Sequence, residues 1–83
     1  MITRAQVRMA RAALGWGVRD LSKRAGVSAN TVSRYENGFE AMSDTLQVIQ
    51  EALEAGGIIF IPGDETAGPG VRLKERKELR RRR

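Results

Sequence analysis

Four hydrogen-bonding side chains recur at helical spacing in the middle of the chain: Asn30, Ser33, Arg34 and Asn37. At 100° per residue they fall within about 100° of arc, so one helix would present two carboxamides, a hydroxyl and a guanidinium side by side. Such a set supplies paired donors and acceptors for planar polar edges. It is the chemistry of recognition rather than of bond making. The 83 residues include no histidine and no cysteine, which removes imidazole bases, thiol nucleophiles, Cys/His zinc sites and disulfides together. The sequence shows no paired carboxylates, no nucleophile–base pair and no glycine-rich phosphate loop, so an enzyme is not expected, nor a metal or a cofactor.

A recognition face needs a scaffold. A chain of this length makes one domain with a small core, burying about 60–65% of its unfolded surface. Thr3-Arg4-Ala5-Gln6 has the form of a capping box, and a first helix is expected from about Arg4 to Leu14. Val7, Ala10 and Leu14 form its core stripe, with Arg11 about 40° from Val7 at the stripe's edge. Gly15-Trp16-Gly17 interrupts. A short second helix, Val18 to Ala25, carries Val18, Leu21 and Ala25 at i, i+3, i+7 and stops at Gly26. Ser28 is a good N-cap for a third helix, Ala29 to Asn37, with Val32 and Tyr35 inward. Ser43 is the expected cap of a fourth, running to about Ala55 with Leu46, Ile49 and Leu53 buried and Gly56-Gly57 at its end. Ile58-Ile59-Phe60-Ile61 reads as a strand, and Val71-Arg72-Leu73 could pair with it across a loop holding both prolines.

The most informative unit is the second helix, its tight turn and the third helix. Ser22 and Ala25 are small enough for a close helix crossing. Gly26 tolerates a sharp reversal, Val27 plugs the corner, and Val32 and Tyr35 anchor the third helix. The polar face is left pointing outward, and a helix presented this way fits a major groove about 12 Å wide. The segment Leu21-Ser22-Lys23-Arg24-Ala25-Gly26-Val27-Ser28-Ala29-Asn30-Thr31-Val32-Ser33-Arg34-Tyr35-Glu36-Asn37-Gly38 resembles the lambda-repressor-like helix-turn-helix family of the xenobiotic-response-element type. The resemblance covers residues 3 to 55. It implies a mainly α, compact bundle of four or five helices whose third helix is the recognition helix, with paired subunits on near-palindromic operators in double-stranded DNA. Carried over by position, it places Ala29, Asn30, Ser33 and Arg34 at base edges, and Thr31 and the start of the second helix near phosphates. It also gives Arg11 and Glu36 the places of a semi-buried ion pair.

Two departures stand out. The family usually starts the second helix with a Ser or Thr cap followed by a Gln that touches phosphate. Here Gly17 and Val18 occupy those places, and Arg19 is the available substitute. Arg34 suits a guanine edge, while Asn30 and Ser33 fit an adenine edge, a phosphate or plain solvent. Trp16 and Tyr35 suit core packing better than base stacking.

The sequence divides into a helix-turn-helix domain over 1–57, a short β extension over 58–73 that could serve dimerisation, and a basic tail over 74–83. Residues 1–57 hold seven basic and six acidic side chains, so the excess of +5 lies mainly in the tail. That tail could clamp DNA nonspecifically or simply be solvated. The longest apolar run is four residues, against about 20 needed to span a bilayer, and no signal peptide is evident, so a cytoplasmic, nucleoid-associated protein is expected without a membrane partner. The leading expectation is a homodimeric transcriptional regulator acting as a repressor. The alternative is an antitoxin that binds a partner toxin as well as its own promoter. A structural RNA-binding role is disfavoured by the near-neutral charge of 1–57 and the lack of an aromatic stacking platform.

Overall fold

Thr3 and Gln6 satisfy each other across the start of the first helix: the Gln6 N–H donates to the Thr3 hydroxyl at 3.1 Å, and the Thr3 N–H donates to Gln6 Oε1 at 2.9 Å. This capping box opens α1, Arg4–Leu14, in a computed structural model that describes residues 2–75. Three further helices follow, α2 (Val18–Ala25), α3 (Ala29–Glu36) and α4 (Ser43–Ala55), then two strands, β1 (Ile58–Ile61) and β2 (Gly70–Leu73). Among the described residues the architecture is mainly helical, with one antiparallel pair of strands after the helices.

One core joins all four helices. Val7, Ala10, Leu21, Val32, Ile49 and Leu53 are fully buried, and Ile2, Tyr35, Leu46 and Ile58 close around them. Each fully buried Leu, Ile or Val contributes about 1.5–3 kcal/mol of transfer free energy. Leu14 and Trp16 are only partly buried, at the rim of this core. Trp16 lies so close to Gly56 that a Cβ there would stand 2.7 Å from its ring, which is why a residue without a side chain follows α4.

The turn between α2 and α3 is built on Gly26, which has φ 76° and donates its N–H to the Ser22 carbonyl at 2.9 Å. A Cβ there would meet nothing within 4 Å. The demand for glycine is therefore conformational and not a matter of space. Gly26→Val is expected to cost more than the ~1–2 kcal/mol of an ordinary left-handed residue, because a β-branched side chain is worse there. Ser22→Ala loses only a hydroxyl bond to the Arg19 carbonyl, 3.0 Å long, and should be nearly neutral. Thermal melts of the two variants check this: the valine variant should melt about 5–15 °C below the parent, and equal midpoints would contradict the turn.

The start of α4 differs from the sequence expectation. The N-cap is Met42, in extended backbone and with no side-chain cap, and Ser43 is already the first helical residue. The Met42 carbonyl accepts the first helical bond, from the Leu46 N–H at 3.0 Å, and Asp44 in the first turn complements the helix dipole. At the other boundary, α3 ends at Glu36 and Asn37 is its C-cap, one residue short of the expected span.

The strands alternate. Ile58 pairs with Leu73 and Phe60 with Val71 on the inner face; Ile59 pairs with Arg72 and Ile61 with Gly70 on the outer one. Ile58 is 2% exposed and belongs to the core, whereas Ile59 and Ile61 are 42% and 39% exposed. The inner face rests on α1 and α4. Buried Gln6 fixes it further: having used its oxygen in the capping box, its amide nitrogen donates to the carbonyls of Ile61 (3.1 Å) and Gly70 (2.9 Å), one on each strand. The connecting loop is held by Asp64, whose Oδ1 accepts from the N–H and hydroxyl of Thr66 and the N–H of Ala67, each at 2.8 Å. These donors, the Thr66 N–H foremost, hold the Asp64 carboxyl below the usual carboxylate range. Their contribution is present above that range and lost as pH falls below it, through the lowered value.

Candidate nucleic-acid interface

Ser28 sets the start of α3. Its hydroxyl accepts the Thr31 N–H at 3.0 Å and shares a 2.8 Å hydrogen bond with the Thr31 hydroxyl. Val32, Tyr35 and Glu36 are buried on the inner side. With these inward, Asn30, Arg34 and Asn37 are exposed, and Ala29 and Ser33 are half-buried beside them. The Asn37 carboxamide reaches the Ser33 hydroxyl at 3.5 Å, along the helix surface. The structure thus brings Ala29, Asn30, Ser33, Arg34 and Asn37 onto one side of α3. Thr31 lies on the flank between Arg34 and Tyr35, its hydroxyl already engaged by Ser28. Arg19 is exposed on the first turn of α2. Gly17 begins α2 with its N–H donated to Asp20 Oδ2 at 2.8 Å.

Three arginines of α1 hold the C-terminal end of α3. Arg11 meets Glu36 in a two-pronged pair, Nε to Oε2 and Nη2 to Oε1, both 2.8 Å. Arg11 also donates from Nη1 to the Trp16 carbonyl at 3.1 Å. The hydrogen bonding that Arg11 donates to Glu36 raises the Arg11 pKa above its already high ordinary value, against the opposing effect of burial. A raised arginine pKa contributes fully at every pH below the ordinary one, so this contribution persists throughout the neutral range. Arg8 donates to the Glu36 carbonyl. Arg4 donates from Nη2 to the carbonyls of Gly38 (3.0 Å) and Phe39 (3.1 Å), and its guanidinium lies 4.6 Å from the Tyr35 ring centre. Cations at these positions satisfy orphan carbonyls and complement the negative end of the helix. Arg4, Arg8 and Arg11, at i, i+4 and i+7, share one face of α1, a spacing visible in the sequence although their partners are not.

Charge is sorted along the chain. Residues 1–39 carry seven basic side chains and two acidic ones, Asp20 and Glu36, both of which have partners. Residues 40–57 carry four acidic side chains and no basic one. The near-neutral total over 1–57 therefore hides a basic segment, residues 1–39, followed by an acidic one, residues 40–57, most of it α4. A separation of this kind orients a domain toward a polyanion. The basic run at Arg80 to Arg83 and the rest of the tail beyond Glu75 lie outside the described residues.

A helix pair with a glycine turn, a capped second member and an outward polar face defines the helix-turn-helix class. A family profile described as a helix-turn-helix domain matches residues 4–57, about two thirds of the chain. The chain belongs to this family, of the lambda-repressor-like kind, which makes it a DNA-binding regulator in the general sense. No curated protein matches the chain. Domains of this family are typically non-enzymatic. Among the described residues no helix is long and apolar enough to cross a membrane.

Proposed function

We propose that the protein is a sequence-specific transcriptional repressor that acts as a homodimer on a near-palindromic operator, in the cytoplasm with the nucleoid. The observation that carries this is the outward face of α3, polar from Asn30 to Asn37, on a helix whose opposite side is locked into the core by Val32, Tyr35 and Glu36. Arg34 reads a guanine edge. Asn30 and Ser33 contact an adenine edge or a phosphate, Ala29 leaves room beside a thymine methyl, and Asn37 extends the same face. Thr31 and Arg19 approach the phosphates, and the basic tail of 74–83 adds nonspecific affinity. Occupancy of an operator is enough to block a promoter, so repression needs no further domain. Selection from a pool of random duplexes tests this. It should enrich paired half-sites about 34–36 Å apart, one turn of DNA, or a multiple of that. A pool that remained random would refute it.

The residues of 58–73 supply the dimer contact in this proposal. A truncation after Gly57 would not test this cleanly, because Ile58 is a core residue and Gln6 ties both strands to α1, so that cut would damage the helical domain itself. The outer face is the place to probe. Ile59 and Ile61 stand exposed there, beside Arg72 and Gly70. An isologous contact would cover the same face on both copies. A double substitution, Ile59→Lys with Ile61→Lys, should leave helical content intact and give a monomer by sedimentation. A variant that stayed dimeric would move the interface to the helices. In the antitoxin alternative the tail of 74–83 would wrap a partner toxin; the second copy is preferred because it also pairs two recognition helices.

A further inference from the structure

The guanidinium of Arg34 does not hang free in solvent. It lies over the ring of Phe39, 4.2 Å from the centroid. Phe39 is 51% exposed, a large aromatic side chain left in water just past the end of α3. Neither the core nor the helix-turn-helix packing accounts for it. Its backbone, by contrast, is tightly held. The Phe39 N–H donates to the Arg34 carbonyl at 2.9 Å, and Arg4 grips the Gly38 and Phe39 carbonyls while lying against buried Tyr35. A chain of contacts therefore runs from the core through Tyr35 and Arg4 to the Phe39 backbone, and from the Phe39 ring to the Arg34 guanidinium.

We propose that Phe39 is a specificity-determining positioning residue: its ring is a platform that fixes the plane of the Arg34 guanidinium for bidentate reading of one guanine. This rests on the reading of Arg34 as a base reader. The physical reason is entropic and electrostatic. Arginine carries four rotatable torsions, and a bidentate contact needs the planar fork in one orientation. A ring face held under the fork limits the orientations the free protein samples, so less freedom is lost on binding. The attraction between cation and ring grows when the groove excludes water. Phe39 touches no base in this account; it acts only through Arg34.

The experiment is a double-mutant cycle on a duplex recovered by selection with the parent protein, and on copies of that duplex altered one base pair at a time. Phe39→Ala should weaken binding to the selected duplex about five- to thirtyfold. The loss should appear as reduced discrimination at the single base pair that Arg34→Ala also relaxes, with discrimination elsewhere and the thermal midpoint unchanged. Phe39→Trp should retain the preference. Phe39→Leu, which keeps the apolar bulk but no ring face, should lose it. In an Arg34→Ala background, Phe39→Ala should have no further effect. If Arg34→Ala relaxes a base pair and Phe39→Ala does not, the platform is refuted while the reading of α3 stands. If Phe39→Ala weakens all positions equally or lowers the melting midpoint, its role is structural and the proposal fails. If Arg34→Ala relaxes no base pair, the reading of Arg34 fails and the platform falls with it.

Discussion

Glu36→Ala is expected to destabilise the fold by about 3 kcal/mol while leaving operator preference unchanged. Removing one partner of a buried ion pair costs about 3–5 kcal/mol, because the other charge is left stranded. Glu36 is almost wholly enclosed, while the Arg11 side chain keeps 21% of its exposure, so water recovers part of the loss and the effect falls at the low end. Two 2.8 Å bonds disappear with the carboxylate. The Glu36 carbonyl, which Arg8 holds, is backbone and remains. For a domain of this size the melting midpoint should fall by about 12 °C or more. Replacing both partners by apolar residues, Arg11→Met with Glu36→Leu, should recover much of the loss. A single variant melting with the parent would show that the pair contributes nothing to stability.

Arg34→Ala should abolish operator preference at one base pair and keep nonspecific binding. One lost bidentate base contact costs about 1–3 kcal/mol, or about five- to 150-fold in affinity. The residual binding comes from phosphate contacts and keeps a comparable dependence on salt. Arg34 is exposed, and its ring contact with Phe39 is at the surface, so stability should change little. A band-shift titration on the selected duplex, with a thermal melt beside it, separates the two effects. Unchanged affinity would mean that another surface carries recognition.

Much of this fold is legible in the sequence because its signals are local. The capping box at Thr3 and Gln6, the Ser28 cap and the left-handed Gly26 each act within four residues. The apolar stripes of α2, α3 and α4 repeat at helical spacing, and the strand alternation puts Ile58 inward and Ile59 outward. What was not legible depends on elements distant in the chain. Gln6 looks finished once it has capped α1, yet its amide also bonds two strand carbonyls 55 and 64 residues away. The partners of Arg4 and Arg8 are backbone carbonyls at the end of α3, about 30 residues on, and exist only once α3 is packed beside α1. Phe39 gave no signal, since a lone aromatic after a glycine has no period. Averaging charge over 1–57 cancelled the basic and acidic segments that a finer window separates. Ser43 misled for a simpler reason: a capping residue type stood one position inside the helix it was expected to cap.

The central claim is that α3 reads base edges in the major groove through Arg34. Replacing the contacted guanine of the selected duplex by 7-deazaguanine tests it most directly. That change removes the N7 acceptor and leaves O6, base pairing and every phosphate in place. The parent protein should lose affinity for the altered duplex, whereas Arg34→Ala should bind altered and unaltered duplexes equally. If both proteins lost affinity to the same extent, or if the parent lost none at any guanine of the site, Arg34 would not be reading a guanine and the account of α3 would be contradicted.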